Sequence, residues 1–240
     1  MRKKVIGVLI LGLLIGAVLG LQQVMWLTPE MESQIVAKLG SKQVIIMLAM
    51  LQTAALSAVA TLVGAWASPK VGLNKPFIYN RRSVVIAVVI GLLSASLIAC
   101  MEKLVFAGAL GINTKFEFSW LYFVGSVLYG GIIEEILLRL GLMTLIVWIA
   151  SKMTKSTNNN GIYIVGIVIA ALLFAVGHLP ATAQMLGLSP VSVFRTLLLN
   201  FVPGIGFGYL YWRHGLAYAM LGHISTHVIN QLLLLPLLFN

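Results

Sequence analysis

Two adjacent carboxylates, Glu134 and Glu135, lie in the run Gly131-Ile132-Ile133-Glu134-Glu135-Ile136-Leu137-Leu138-Arg139-Leu140, which is otherwise apolar. A charge at the middle of a bilayer helix costs about 2.5–3.5 kcal/mol on insertion scales, and the residues that bear one are usually functional. Arg139 stands four residues after Glu135, so the two share a helix face and can form a partly neutral ion pair. Glu134 has no counter-ion beside it. It is therefore a candidate for acid–base or metal chemistry.

Three of the four histidines, His178, His223 and His227, fall in or beside apolar segments further along the chain. His223 and His227 are spaced i,i+4, one above the other on a helix face. A carboxylate beside imidazoles can deprotonate a water. Alternatively, two imidazoles and a carboxylate can hold Zn²⁺ or another divalent metal with one position open for water. A neighbouring amide or imidazole then donates to the oxyanion of a tetrahedral intermediate. Peptide hydrolysis needs these roles filled, and the chain has residues for each. Every one of them also has a structural reading. Glu135 and Arg139 can be an ion pair inside a bundle, and His227 and Asn230 can bridge helices by hydrogen bonds worth about 0.6 kcal/mol each. Phe174 reads as core, His214 as interfacial and the single Cys100 as a packing residue.

These side chains must be positioned by helices in a membrane. The chain has 240 residues, of which 60% are hydrophobic and 9% charged; soluble domains average about a quarter charged residues. Spans of the ~20 residues needed to cross a bilayer are expected over 5–27, 43–67, 84–101, 118–139 (running on toward 150), 162–178, 191–211 and 216–239. The expected fold is an all-α polytopic bundle of seven to eight spans in the cell membrane, forming one domain over 1–240 with its catalytic core at about 118–231. The start reads as a retained first span, because its apolar run is longer than a signal peptide's and lacks a small-x-small cleavage site. The net charge of +10 does not point to nucleic acid. Lysines and arginines cluster at the amino terminus, 70–82, 139–155 and 213, as the positive-inside rule predicts for loops facing the cytoplasm. Arg195 alone sits awkwardly with that side. A lone cysteine excludes an intramolecular disulfide.

Taken together, Glu134-Glu135 with Arg139, Phe174 with His178, and His223 behind Gly215-Leu216 resemble the three motifs of the CPBP family of intramembrane proteases. That family is the group of CAAX prenyl proteases and bacteriocin-processing or self-immunity proteins. The resemblance spans roughly 118–231. It implies that Glu134 activates water with His178, that Glu135 and Arg139 orient that pair, and that His223 binds metal or steadies the oxyanion. It leaves open a metal-dependent and a metal-free glutamate mechanism, with Glu134, His178 and His223 the metal ligands in the first. The chain departs from the family at His227, where Asn or Asp is usual; Asn230, one turn on, is a candidate stand-in. His-Glu-x-x-His, Gly-x-Ser-x-Gly and any aspartate are absent from the sequence.

The expected activity is endoproteolysis of a membrane-associated, prenylated or leader-containing peptide or protein substrate, with membrane lipid as the surrounding partner. Two alternatives stand beside it: a non-catalytic immunity or scaffold protein, favoured by His227, and a proton-coupled transporter in which Glu134 and Glu135 titrate. One expectation conflicts with the site. Straight helices over these spans, rising ~1.5 Å per residue, leave Glu134 and His178 near opposite faces, so a shifted boundary or a break near Gly130-Gly131 is required; neither brings His223, only seven residues into its span, level with them.

Overall fold

The structure, a computed structural model, describes residues 2–111, 115–157 and 159–239. Met1 of the basic amino terminus and Asn158 of the expected Asn158–Gly161 turn lie outside the described residues. These form α1 (Arg2–Met25), α2 (Pro29–Leu39), α3 (Gln43–Val71), α4 (Arg81–Leu110), α5 (120–154), α6 (Asn160–Leu186), α7 (Pro190–His214) and α8 (Leu216–Phe239). There is no strand among them. Six helices, all but α2 and α5, are long and apolar enough to cross a membrane. The chain is an all-α polytopic bundle.

Polar caps set where the helices begin. The side chains of Asn80, Ser119 and Asn159 accept from the backbone amides of Ser83, Tyr122 and Gly161 at the starts of α4, α5 and α6. Ser189 and Ser192 form a reciprocal capping box on α7, leaving fewer orphan donors at a helix end. The amphipathic α2 is an addition to the expected spans. Its signals are local: Thr28 caps it, Pro29 opens it, Glu30 and Glu32 lie in its first turn, and Gly40 closes it at φ 81°.

Small residues bring the helices together, since lipid chains supply no hydrophobic drive for one helix to prefer another. Gly12, Gly16 and Gly20 lay one stripe of α1 against α3, so closely that a Cβ at Gly16 would stand 2.6 Å from the Cα of Met50. Gly16→Leu is expected to separate α1 from α3 and lower the detergent melting temperature by several degrees; an unchanged melting temperature would refute this packing. Gly130 and Gly131 similarly admit α8 to α5, facing His227 and Ile224. Cys100 is exposed on the bundle's surface rather than packed inside it.

Three polar ties fix the frame around α8. Lys75 donates to the carbonyls of Trp212 (2.7 Å) and Arg213 (2.8 Å), capping the end of α7. Burial and then the nearby Arg213 charge hold the Lys75 pKa below its ordinary value. The Tyr218 hydroxyl donates to Ile78 O at 2.8 Å and accepts from Asn80 N at 2.8 Å. At the other end of α7, Arg195 is anchored by Glu102 of α4 in a two-pronged ion pair, with its Nε 3.0 Å from one carboxylate oxygen. That pairing accounts for a cation on the bundle end opposite the lysine-rich loops.

Candidate active site

α5 is a single helix, and its middle is wide. Turns of the i→i+5 type run over Ser126–Glu134 and Ile136–Met143. Such turns are rare and concentrate at functional sites. They put residues five apart on one face, so Tyr129 and Glu134 both line the same cavity. The expected break at Gly130-Gly131 is not found. For Glu134 and His178 the depth conflict is removed instead by the length of α5. It continues past Arg139 to Thr154, which places Glu134 ~30 Å from that end, while His178 lies ~27 Å from the start of α6.

The end of the long run of α6 also serves the site. The helix interrupts its regular turns at His178, just before Pro180, and resumes over Leu179–Leu186. The His178 ring lies edge-on against Phe174, with centroids 4.7 Å apart. Its Nδ1 is 2.9 Å from Phe174 O. A carbonyl can only accept, so Nδ1 carries the proton and Nε2 presents a lone pair. Phe174 of the second motif is thus a buried orienting residue as well as core.

His223 is set in the same way. Its Nδ1 is 2.9 Å from Glu135 Oε1, and its ring is sandwiched between Phe207 (4.4 Å) and His227 (5.0 Å) in near-parallel stacks. With Nδ1–H donating to the carboxylate, Nε2 again presents a lone pair. Glu135 is 0% exposed and Arg139 1% exposed. Arg139 Nη1 is 3.2 Å from the same Glu135 oxygen, its Nη2 donates to Gly204 O at 2.9 Å, and its guanidinium lies 5.5 and 5.6 Å from the ring centroids of Phe174 and Phe207. This buried ion pair reaches the cavity through His223.

Glu134 faces both imidazoles. One carboxylate oxygen is 3.9 Å from His178 Nε2 and the other 3.9 Å from His223 Nε2. These are too long for direct hydrogen bonds and suit a bridging water. Three acceptors converge on one gap, so a group seated there must bring the protons. The buried set also carries two carboxylates against one guanidinium.

The cavity has a volume of about 200 Å³. Besides Glu134, His178 and His223 it is lined by Tyr129, Asn200 and His227. The structure therefore gathers Glu134, His178, His223 and His227 at one cavity and keeps Glu135 and Arg139 behind them. Asn230 does not line it, and its amide oxygen is buried without a hydrogen-bond partner among the described residues. Sequence reasoning missed Tyr129, Asn200 and Gln22. Gln22 belongs to α1, donates to the carbonyls of Leu121 (2.9 Å) and Tyr122 (3.2 Å), and also lines the cavity. Its only sequence signal was a polar side chain near the end of an apolar span.

The imidazole and carboxylate donors are of the kind that bind divalent ions. No group of three or more His, Cys, Asp or Glu side chains among the described residues is placed to hold one, however.

Residues 116–229 match the family described as type II CAAX prenyl endopeptidase Rce1-like. The chain carries an Rce1-like domain. The domain takes in α5 to α8 up to Ile229, and with it Glu134, Glu135, Arg139, His178, His223 and His227. It agrees with the CPBP resemblance and with a multi-pass membrane peptidase acting on a peptide or protein. α1 to α4 lie outside the Rce1-like match, although Gln22 of α1 and Ile98 of α4 complete its cavity. No curated protein and no solved structure matches the chain.

Proposed function

We propose that the chain hydrolyses a peptide bond of a prenylated or leader-bearing membrane substrate, with Glu134 as the general base. The observation that carries this reading is the placement of Glu134 between two imidazoles whose free nitrogens both stand 3.9 Å from its oxygens. A water in that gap donates one proton to Glu134 and the other to an imidazole Nε2. Its lone pair then attacks the scissile carbonyl. The proton taken by Glu134 passes to the departing amine, and the His178 imidazole keeps the water oriented. His223 holds its angle through Glu135 and Arg139, and serves as a positioning residue for the same water.

The oxyanion needs donors. Tyr129 lines the cavity and its hydroxyl makes no hydrogen bond among the described residues. The Asn200 amide donates one proton to Thr196 O at 2.8 Å and has a second to offer. His227, stacked on His223, fills the position where the family carries Asn or Asp. Removing one oxyanion donor costs about 10²–10³ in kcat in well-studied hydrolases. Tyr129→Phe is accordingly expected to lower kcat about 100-fold with KM little changed, measured on a cleaved peptide. An unchanged kcat would remove Tyr129 from this role.

The deciding experiment is cleavage of quenched fluorescent peptides, prenylated and unprenylated, by purified protein in detergent. The wild-type enzyme is compared with His178→Ala, each with and without a chelator. Cleavage by wild type that is unaffected by chelation and strongly reduced in His178→Ala is the expected result. Loss of wild-type activity on chelation, restored by a divalent ion, would replace the metal-free route with a metal-held water. Equal signals from both proteins would overturn the peptidase reading.

A further inference from the structure

A second cleft, about 430 Å³ in volume, opens where α3 ends and α5 joins α6. It is lined by Lys70, Trp148, Ser151, Lys152, Lys155 and Thr157, among others. None of the chain's six acidic residues lines it, and none pairs with these three lysines among the described residues. Three ammonium groups therefore share one cleft without a protein counter-ion. Lysines in the last turn of a helix are often explained by the negative end of the helix dipole. That reason covers Lys152 in the last turn of α5 and Lys70 in the last turn of α3 taken singly, but not the convergence of both, with Lys155 just past the end of α5, on one cleft.

The cleft is built from fixed parts. Trp66 and Trp148 pack with ring centroids 4.6 Å apart, and Lys70 Nζ lies 3.6 Å from the Trp66 centroid. Trp148 Nε1 is buried without a hydrogen-bond partner among the described residues. The Tyr163 hydroxyl contacts Val71 O (2.9 Å) and Thr157 O (3.2 Å), tying the end of α3 and the α5–α6 loop to α6. Lys155 is the only described non-glycine residue with a positive φ, 53°. Glycine is the usual occupant of that helix-ending position, so the lysine there sits at some cost in local backbone strain.

What lies beside the cleft identifies the ligand. Leu62 and Trp66 on α3 and Ile149 and Met153 on α5 expose apolar side chains on the helices that lead into it. Indoles and lysines at a span end, above an exposed apolar surface, are the arrangement of a membrane–water interface. A basic pocket between helices at that level fits a lipid phosphate. We propose that this cleft binds the phosphodiester headgroup of an anionic membrane lipid, with its acyl chains along Leu62, Trp66, Ile149 and Met153. The site is separate from the peptidase cavity and shares no lining residue with it.

The test uses the purified full chain in neutral detergent, titrated with mixed micelles of phosphatidylglycerol or phosphatidylcholine and read by native mass spectrometry of retained lipid. Wild type is expected to retain phosphatidylglycerol saturably and phosphatidylcholine weakly. Each lysine removed, as in Lys70→Gln, Lys152→Gln and Lys155→Gln, should weaken retention about fivefold. A control, Arg2→Gln/Lys3→Gln/Lys4→Gln, removes three positive charges elsewhere, more than any single cleft variant, and should leave retention unchanged. Lys155→Gly guards against misfolding, since it deletes the charge while relieving the backbone; it too should bind about fivefold more weakly. Equal retention of both lipids, or equal loss in cleft and control variants, would overturn the proposal. Displacement of the lipid by millimolar inorganic phosphate would reassign the cleft to free phosphate and overturn the lipid assignment.

Discussion

Glu134→Gln is expected to lower kcat/KM about 10³-fold or more while the protein folds and melts as wild type. General-base catalysis by a positioned side chain contributes about 10²–10⁴-fold. An amide of the same shape keeps the contacts of Glu134 but accepts no proton from water. The variant also leaves the Glu135–Arg139 pair and the Nδ1 anchors of both histidines in place, so the loss reports proton transfer rather than collapse of the site. Because the missing step follows binding, the fall should appear in kcat with KM nearly constant. His178→Ala should fall less far, since Glu134 and His223 still face the gap. A Glu134→Gln enzyme within fivefold of wild type would exclude Glu134 as the base. The same variant separates the rival readings: a scaffold keeps its phenotype, and a proton-coupled transporter loses flux without ever having cleaved a peptide.

The outline of the bundle was legible because membrane spans are written in composition and length. The expected starts at 43, 84, 118, 162, 191 and 216 fall within about three residues of the observed helices. The ends were harder. Arg139 resembles the basic residue that closes a span, yet it is 1% exposed and α5 continues to Thr154. A charge marks a boundary only if its partner is known, and Gly204 O, which accepts from Arg139, lies 65 positions away. The same limit hid the tie between Arg195 and Glu102, 93 positions apart. α2 was different: its cap, proline and glycine were all readable, but a short amphipathic helix is invisible to a search for long apolar runs.

The candidate site divides along similar lines. Glu134, His178 and His223 stood out because ionisable groups are rare in apolar segments, and the structure brings them to one cavity. The wide turns of α5 that set Tyr129 over Glu134 have no sequence signature in Ser126–Glu134, a run that would suit an ordinary helix equally well. Asn200 and Gln22 read as isolated polar residues in apolar spans. Their significance depends on where α7 and α1 pack, which no spacing rule encodes.

Arg139→Met is expected to destabilise the protein by about 3–5 kcal/mol, the usual penalty for removing one partner of a buried ion pair. The carboxylate of Glu135 would remain at 0% exposure with only the His223 imidazole beside it. The Gly204 carbonyl would lose its guanidinium donor as well. Glu135→Gln/Arg139→Met removes the stranded charge and should recover most of the lost stability, because well-packed neutral residues often replace a buried ion pair at little cost. Denaturant unfolding in detergent micelles measures both. Activity should not recover with stability. In the double variant a neutral amide, no longer held by a guanidinium, replaces the carboxylate at His223 Nδ1; the weaker hydrogen bond lets the ring turn its Nε2 from Glu134, and kcat stays low. If the double variant is as unstable as Arg139→Met, packing of the arginine side chain against Phe174 and Phe207 outweighs its charge. If the double variant regains full activity, the pair only supports the fold and does not orient His223. Stability restored without catalysis would show that this buried ion pair serves the geometry of His223 rather than folding.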